Sequence, residues 1–222
     1  MRCASCGARD QGLCGAFGGD GIASLHTIGR RRRAPAGQVL IWAGDPITFC
    51  ATLVSGALKI VRHEADGRQQ IVGLLFPGDF VGEPFAEHAA ESLIALADAD
   101  LCVYPRAQLR WLLQTHPPAA RVLLHTALAS LTRARRWILT LGRRDAQEKV
   151  AGFLLDMAEH HAGTETFELP MGRAAVGEAL GLTIETVSRQ MTALRRAGAI
   201  ALPGGRTVEL RDRMRLRTLA GL

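Results

Sequence analysis

Residues 172–198 read Gly-Arg-Ala-Ala-Val-Gly-Glu-Ala-Leu-Gly-Leu-Thr-Ile-Glu-Thr-Val-Ser-Arg-Gln-Met-Thr-Ala-Leu-Arg-Arg-Ala-Gly. Two short helices joined by a tight turn account for this pattern. Val176, Leu180, Leu182 and Val187 supply an apolar seam between them. Gly177 is small where the helices must approach, and Gly181 stands where a tight turn needs a residue tolerant of positive φ. Thr183 is placed to cap the second helix, and Glu185 in its first turn suits the helix dipole. Thr183, Glu185, Thr186, Ser188 and Arg189 then occupy the leading turns, with side chains able to reach base edges in a major groove. A helical hairpin with a solvated charged face is the alternative. Turn, cap and readout residues falling in register together favour a helix-turn-helix. On that reading Arg189 pairs bidentately with guanine O6/N7, and Glu185 accepts from a cytosine N4 amine. Ser188 bonds or packs without strong base preference.

The flanking sequence extends the motif into a winged helix. Asp145-Ala-Gln-Glu148 resembles a capping box that opens a helix running to about His161, and Phe167–Pro170 reads as a short strand. After the motif come Ile200–Leu202, a Pro203-Gly204-Gly205 turn and Thr207–Leu210, a hairpin whose tip residue Arg206 is placed to touch phosphate. Residues 133–222 hold 15 Lys and Arg against 10 Asp and Glu, so most of the chain's net charge of +6 lies on this half. A nucleic-acid partner requires that footprint.

Upstream, residues 37–105 carry short apolar runs punctuated by glycine: 39–42, 52–54, 57–61, 70–75, 80–82, 92–96 and 101–104. Such spacing predicts an antiparallel sandwich or roll. A short helix follows over 106–113. Pro117-Pro118 then starts a longer helix in which Leu124, Leu128, Leu131, Ala134, Ile138 and Leu141 make a coiled-coil-like stripe. Three heptads support a dimer without sufficing for one. A stripe packed on the chain's own roll is the alternative. A reader of two half-sites favours the dimer. The expected fold is α+β: a Cys-rich leader (1–20), a β-roll (21–118), a dimerisation helix (119–144) and a winged helix (145–222).

The leader is expected to be loop, with a short helix over 21–29, and the Arg30–Arg33 run is expected to be solvated surface. Cys3, Cys6 and Cys14 lie within twelve residues, and Cys102, at the end of the last roll strand, is the candidate fourth ligand. Four thiolates suit zinc or an iron–sulfur cluster, and spacing does not separate the two. Cys50 sits in an apolar strand and reads as a buried small hydrophobe. No stretch reaches the ~18 apolar residues of a membrane span, and the first residues lack an apolar signal core, so the expected location is the cytoplasm. Nucleophile elbow, phosphate-cradling loop and paired His ligands are all missing, so an enzyme is not expected.

The roll, the seam helix, the winged helix and the cysteine set together resemble the CRP/FNR family of bacterial transcription regulators, over essentially the whole chain. The nearest likeness is to the oxygen-sensing FNR branch, whose members carry three clustered N-terminal cysteines and one at the end of the roll. Thr183-Ile-Glu-Thr-Val-Ser-Arg-Gln matches that branch's recognition helix. The resemblance implies a cyclic-nucleotide-binding-like jelly roll and a [4Fe-4S] cluster on Cys3, Cys6, Cys14 and Cys102. It implies a homodimer that binds a palindrome of TTGAT-like half-sites at low oxygen, with RNA polymerase as partner. Cyclic-nucleotide-binding relatives follow their Gly-Glu with an Arg-Ser/Thr pair that holds the phosphate. Here Gly82-Glu83 is followed by Glu91-Ser92, and a carboxylate at that place repels a cyclic phosphate. A related regulator with zinc or no metal, sensing a small molecule in the roll, is the alternative.

Overall fold

The computed structural model describes Cys6 and residues 12–64, 66–161 and 163–222. They form two compact units, dividing between Arg133 and Ala134.

The first unit opens with two helices, α1 (Gly12–Ala16) and α2 (Gly18–Ile28). Eight strands follow: β1 (Arg30–Ala34), β2 (Val39–Ile41), β3 (Phe49–Ser55), β4 (Leu58–His63), β5 (Gln69–Leu75), β6 (Phe80–Val81), β7 (Ser92–Ala95) and β8 (Ala99–Pro105). They pair antiparallel into two four-stranded sheets, β1-β8-β3-β6 and β2-β7-β4-β5. This is the roll that the glycine-punctuated runs predict. Its interior is filled by Leu40, Ile41, Ala51, Leu53, Leu58, Val81, Leu93 and Leu101.

Successive side chains on a strand point to opposite faces. In β3, however, Cys50, Ala51, Thr52 and Leu53 are all buried. Both faces of this sheet are covered. Ala51 and Leu53 face the interior, while Cys50 and Tyr104 belong to a second core with Leu13, Phe17, Leu25, Leu109, Leu112 and Leu113. The last three lie on α3 (Arg106–Thr115), which is followed by α4 (Pro117–Arg143).

One expectation changes in this unit. The leader is not all loop: α1 lies within it, and α2 starts before the expected boundary at residue 20. Glycine-rich composition lowers helix propensity, but burial of Leu13, Phe17 and Leu25 overrides it. The arginine run is surface as expected, with Arg30, Arg31 and Arg33 exposed, and it forms a strand as well. β1 is an edge strand, a place where charge discourages further pairing. Arg31 and Arg33 pair with Asp100, and Arg32 lies 5.3 Å over the Phe49 ring.

In the second unit the end of α4 is followed by α5 (Ala146–His160), β9 (Thr166–Glu168), α6 (Arg173–Leu180), α7 (Ile184–Arg196), β10 (Ile200–Gly204), β11 (Thr207–Leu210) and α8 (Arg213–Leu219). Asp145 and Glu148 form the expected reciprocal capping box. Helix α5 packs on α7 and α8, and α6 on α7, around buried Val150, Leu154, Val176, Leu180, Val187, Met191 and Leu216. The three-stranded sheet β10-β11-β9 completes a winged helix. Pro203 and Gly204 belong to β10 rather than to the turn, because Gly204 pairs with Thr207 and leaves Gly205-Arg206 as the tip. No helix among the described residues is long and apolar enough to cross a membrane.

Candidate functional site

The turn between α6 and α7 is built as its residues require. Gly181 closes α6 in the left-handed region at φ 63°. At Gly177 an added Cβ would meet the Leu182 carbonyl oxygen at 2.6 Å. Thr183 caps α7, its hydroxyl accepting from the Thr186 amide at 3.3 Å. A cap of this kind contributes about 1 kcal/mol.

Three apolar residues of α7, Val187, Met191 and Leu194, are buried, which leaves Glu185 and Arg189 exposed on its leading turns. Glu185's own amide, together with the Thr183 hydroxyl, holds its carboxyl below the ordinary range. It is therefore an ionised, acceptor-only group. The Arg189 guanidinium donates to Thr186 Oγ1 at 3.2 Å, which restrains a long side chain before any contact with DNA. Ser188 Oγ accepts from Arg173 Nη1 at 3.2 Å. Arg173, at the start of α6, was not singled out from sequence. Its signal was a basic residue directly after the Gly172 cap.

Arg206 stands at the wing tip as expected but turns back. Its Nε and Nη2 donate to Glu168 Oε1 at 3.2 and 3.1 Å, and its Nη1 donates to the Pro170 carbonyl at 3.4 Å. Between α7 and the wing lies a cleft of about 260 Å³ into which Arg173, Arg195 and Arg206 all face. Three guanidiniums and helix α7 on one surface suit a polyanion.

The apolar stripe of α4 is uncovered in the single chain. Leu124, Leu128, Leu131, Ala134 and Ile138 are exposed, Ile138 by 71%. Leu139, outside the expected stripe, is exposed as well. Leu141 differs: it is half-buried, and its Cδ2 would lie 3.9 Å from a side chain on Gly181. One side chain of the last turn of α4 thus lies near the turn of the helix-turn-helix.

The cysteines lie in the first unit. In the β3–β8 register Cys50 faces Tyr104 and Thr52 faces Cys102. Cys14, on α1, reaches the same spot: its Sγ is 3.4 Å from Tyr104 Oη and 3.7 Å from Thr52 Oγ1. Cys102 also bonds to the Tyr104 hydroxyl. Burial, then the neighbouring Cys14 and Cys102, push that phenol's pKa far upward. Gly29 passes so close that an added Cβ would sit 3.1 Å from Cys102 Sγ. Two of the four expected ligands are therefore brought to one point. Cys6 is half-buried, and Cys3 lies outside the described residues. Among the described residues no group of three His, Cys, Asp or Glu side chains gathers closely enough to hold a metal ion. Cys50 is fully buried, and burial pushes its thiol up to about 12, as befits a hydrophobe.

Glu91 and Ser92 lie at the start of β7. Glu91 lies 3.8 Å from Arg62, and the buried Ser92 hydroxyl accepts from the Ala43 amide at 3.0 Å.

Comparison with known proteins agrees with this architecture. Residues 31–116 match a cyclic nucleotide-binding domain and residues 148–219 a Crp-like helix-turn-helix domain. The chain is 40% identical to the transcriptional activator protein FnrL of Cereibacter sphaeroides over 228 residues, covering 99% of this chain and 92% of that one. It is 33% identical to the nitrogen fixation regulation protein FixK of Bradyrhizobium diazoefficiens, over 98% of this chain and 93% of that one. The solved structure of FixK2 from Bradyrhizobium japonicum superposes with a TM-score of 0.82 at 31% identity, over 86% of this chain and 97% of that one.

Proposed function

The chain belongs to the CRP/FNR family of DNA-binding transcription regulators, and from that premise we propose that it is an oxygen-responsive regulator. It pairs as a homodimer through α4, reads a palindromic operator of TTGAT-like half-sites, and acts with RNA polymerase. Its sensing group is a [4Fe-4S] cluster on Cys3, Cys6, Cys14 and Cys102.

The observation that carries the sensing half is the meeting of Cys14 and Cys102 at Tyr104. One sulfur comes from the leader and the other from the roll, 88 residues apart in numbering. Soft sulfur donors suit an iron–sulfur group, so the donor set fits. Bound there, the cluster would supply an oxygen-labile tie between leader and roll. The chain's own residues do the rest. Leu13 anchors α1 by burial and Phe17 anchors the junction to α2, so ligation at Cys14 and the packing of α1 reinforce one another. The exposed α4 stripe offers an apolar seam to a second copy. Leu141, resting beside Gly181, lets a change in α4 reach the reader. The Glu91 carboxylate disfavours a cyclic phosphate in the roll.

The test is purification without air, with iron and acid-labile sulfide counted and operator binding followed by fluorescence anisotropy before and after air exposure. Iron and sulfide in equal amounts, with dimer and DNA binding both declining in air, support the proposal. Zinc alone, or operator binding unchanged in a protein without iron, overturns its sensing half.

A further inference from the structure

Tyr104 has a place in this chain that the ligand set alone does not explain. Its ring is buried at 1% exposure, and Thr52 beside it at 0%. Their hydroxyl oxygens are 3.4 Å apart, long for a hydroxyl pair, so neither fully satisfies the other. Each has sulfur nearby: Cys14 is within reach of both, and Cys102 bonds to Tyr104. The surroundings are otherwise apolar, with Leu13, Phe17, Leu25 and Leu109 in the same layer.

We propose that the Tyr104 and Thr52 hydroxyls are a donor pair that hydrogen-bonds the sulfurs of Cys14 and Cys102 and so positions these two ligands. This rests on the cluster reading given above. A metal-bound cysteine is a thiolate, with no proton to give. In that state Cys14 and Cys102 accept only, and the protons in the layer come from the two hydroxyls. Two donors face two acceptors, and the geometry allows one bond to each sulfur. Strand parity fixes the arrangement: Cys102 and Tyr104 share one face of β8, and Thr52 is paired opposite Cys102. Tyr104 is thus a positioning residue, the outer support that orients a ligand and tunes its basicity.

Tyr104→Phe keeps the ring and removes the donor, and Thr52→Val does the same for the smaller side chain. Both variants and the parent are purified whole, without air. Iron and sulfide are counted, resonance Raman spectra are recorded, and iron loss to an added chelator is followed anaerobically. The expected result is full initial iron, a higher iron–thiolate stretching frequency in Tyr104→Phe, and iron loss about tenfold faster or more. A smaller change in the same direction is expected for Thr52→Val. A structural role alone would leave the stretching frequency in place. Parent and variants with iron but identical spectra and identical loss overturn the donor-pair inference and leave the cluster reading intact. A parent without iron overturns both.

Discussion

The Leu182 carbonyl oxygen stands 2.6 Å from where a side chain on Gly177 would place its first carbon, and its amide donates to the Gly177 carbonyl at 3.0 Å. The turn of the helix-turn-helix is therefore clamped to α6 through backbone, which has no rotamer with which to yield. Gly177→Ala gains up to about 1 kcal/mol of helix propensity. It loses about 1–3 kcal/mol to overpacking. The expected outcome is net destabilisation with lowered operator affinity, read by thermal unfolding and anisotropy. An unchanged or raised midpoint would show that the turn can shift to make room.

Arg189 and Arg206 are expected to fail in different ways. Arg189→Ala should cost about 1–3 kcal/mol of operator binding and relax preference at one base pair. Arg206→Ala should weaken all sequences alike and flatten the salt dependence. Because Glu168 now holds Arg206, Glu168→Gln should release it and raise affinity for scrambled DNA as well. These outcomes are read by titrating each variant against operators changed one position at a time, at two salt concentrations. A position-specific loss in Arg206→Ala would remove it from the phosphate contacts.

What the sequence disclosed followed from local rules. Turn glycines, caps and strand runs depend on neighbours along the chain, so α6, α7, the capping box at Asp145 and the strands of the roll were legible. What it hid depended on tertiary burial. Helix α1 forms in a glycine-rich segment because Leu13 and Phe17 find the outer face of the roll. The arginine run 30–33 becomes a strand because β8 offers an edge. Cys102 was visible as a ligand candidate, but its companions Tyr104 and Thr52 were not. Their relation needs the β3–β8 register, which no spacing in the sequence states. Arg206 was placed at the tip correctly, yet its ion pair to Glu168 joins residues 38 apart.

The α4 stripe gives a prediction that separates pairing from folding. Ile138 is 71% exposed, so Ile138→Asp should change the unfolding free energy of the single chain by no more than about 0.5 kcal/mol. A charge in a seam between two copies is a different matter, since it is desolvated without a partner. Sedimentation velocity should show a shift from dimer to monomer, with operator affinity falling in step. A variant that still sediments as a dimer would mean that the stripe is covered by something other than a second copy.

Cys50 supplies the pH prediction. Its thiol is pushed from an ordinary 9.0 up to about 12 by burial, with Arg106 lowering it and Glu83 raising it to a smaller degree. Below pH 9 the thiol is protonated in both folded and unfolded chains and contributes no pH dependence. Between 9 and 12 the unfolded chain releases the proton while the folded one keeps it, so stability falls as pH rises. The slope is at most about 1.4 kcal/mol per pH unit. Cys50→Ala should remove this share of the alkaline decline, at the cost of a small cavity at every pH. The check is chemical denaturation of the metal-free protein at a series of pH values from 8 to about 10.5, parent against variant. Parallel curves would show that Cys50 ionises in the folded protein as readily as in the unfolded one, and that its strand opens to solvent.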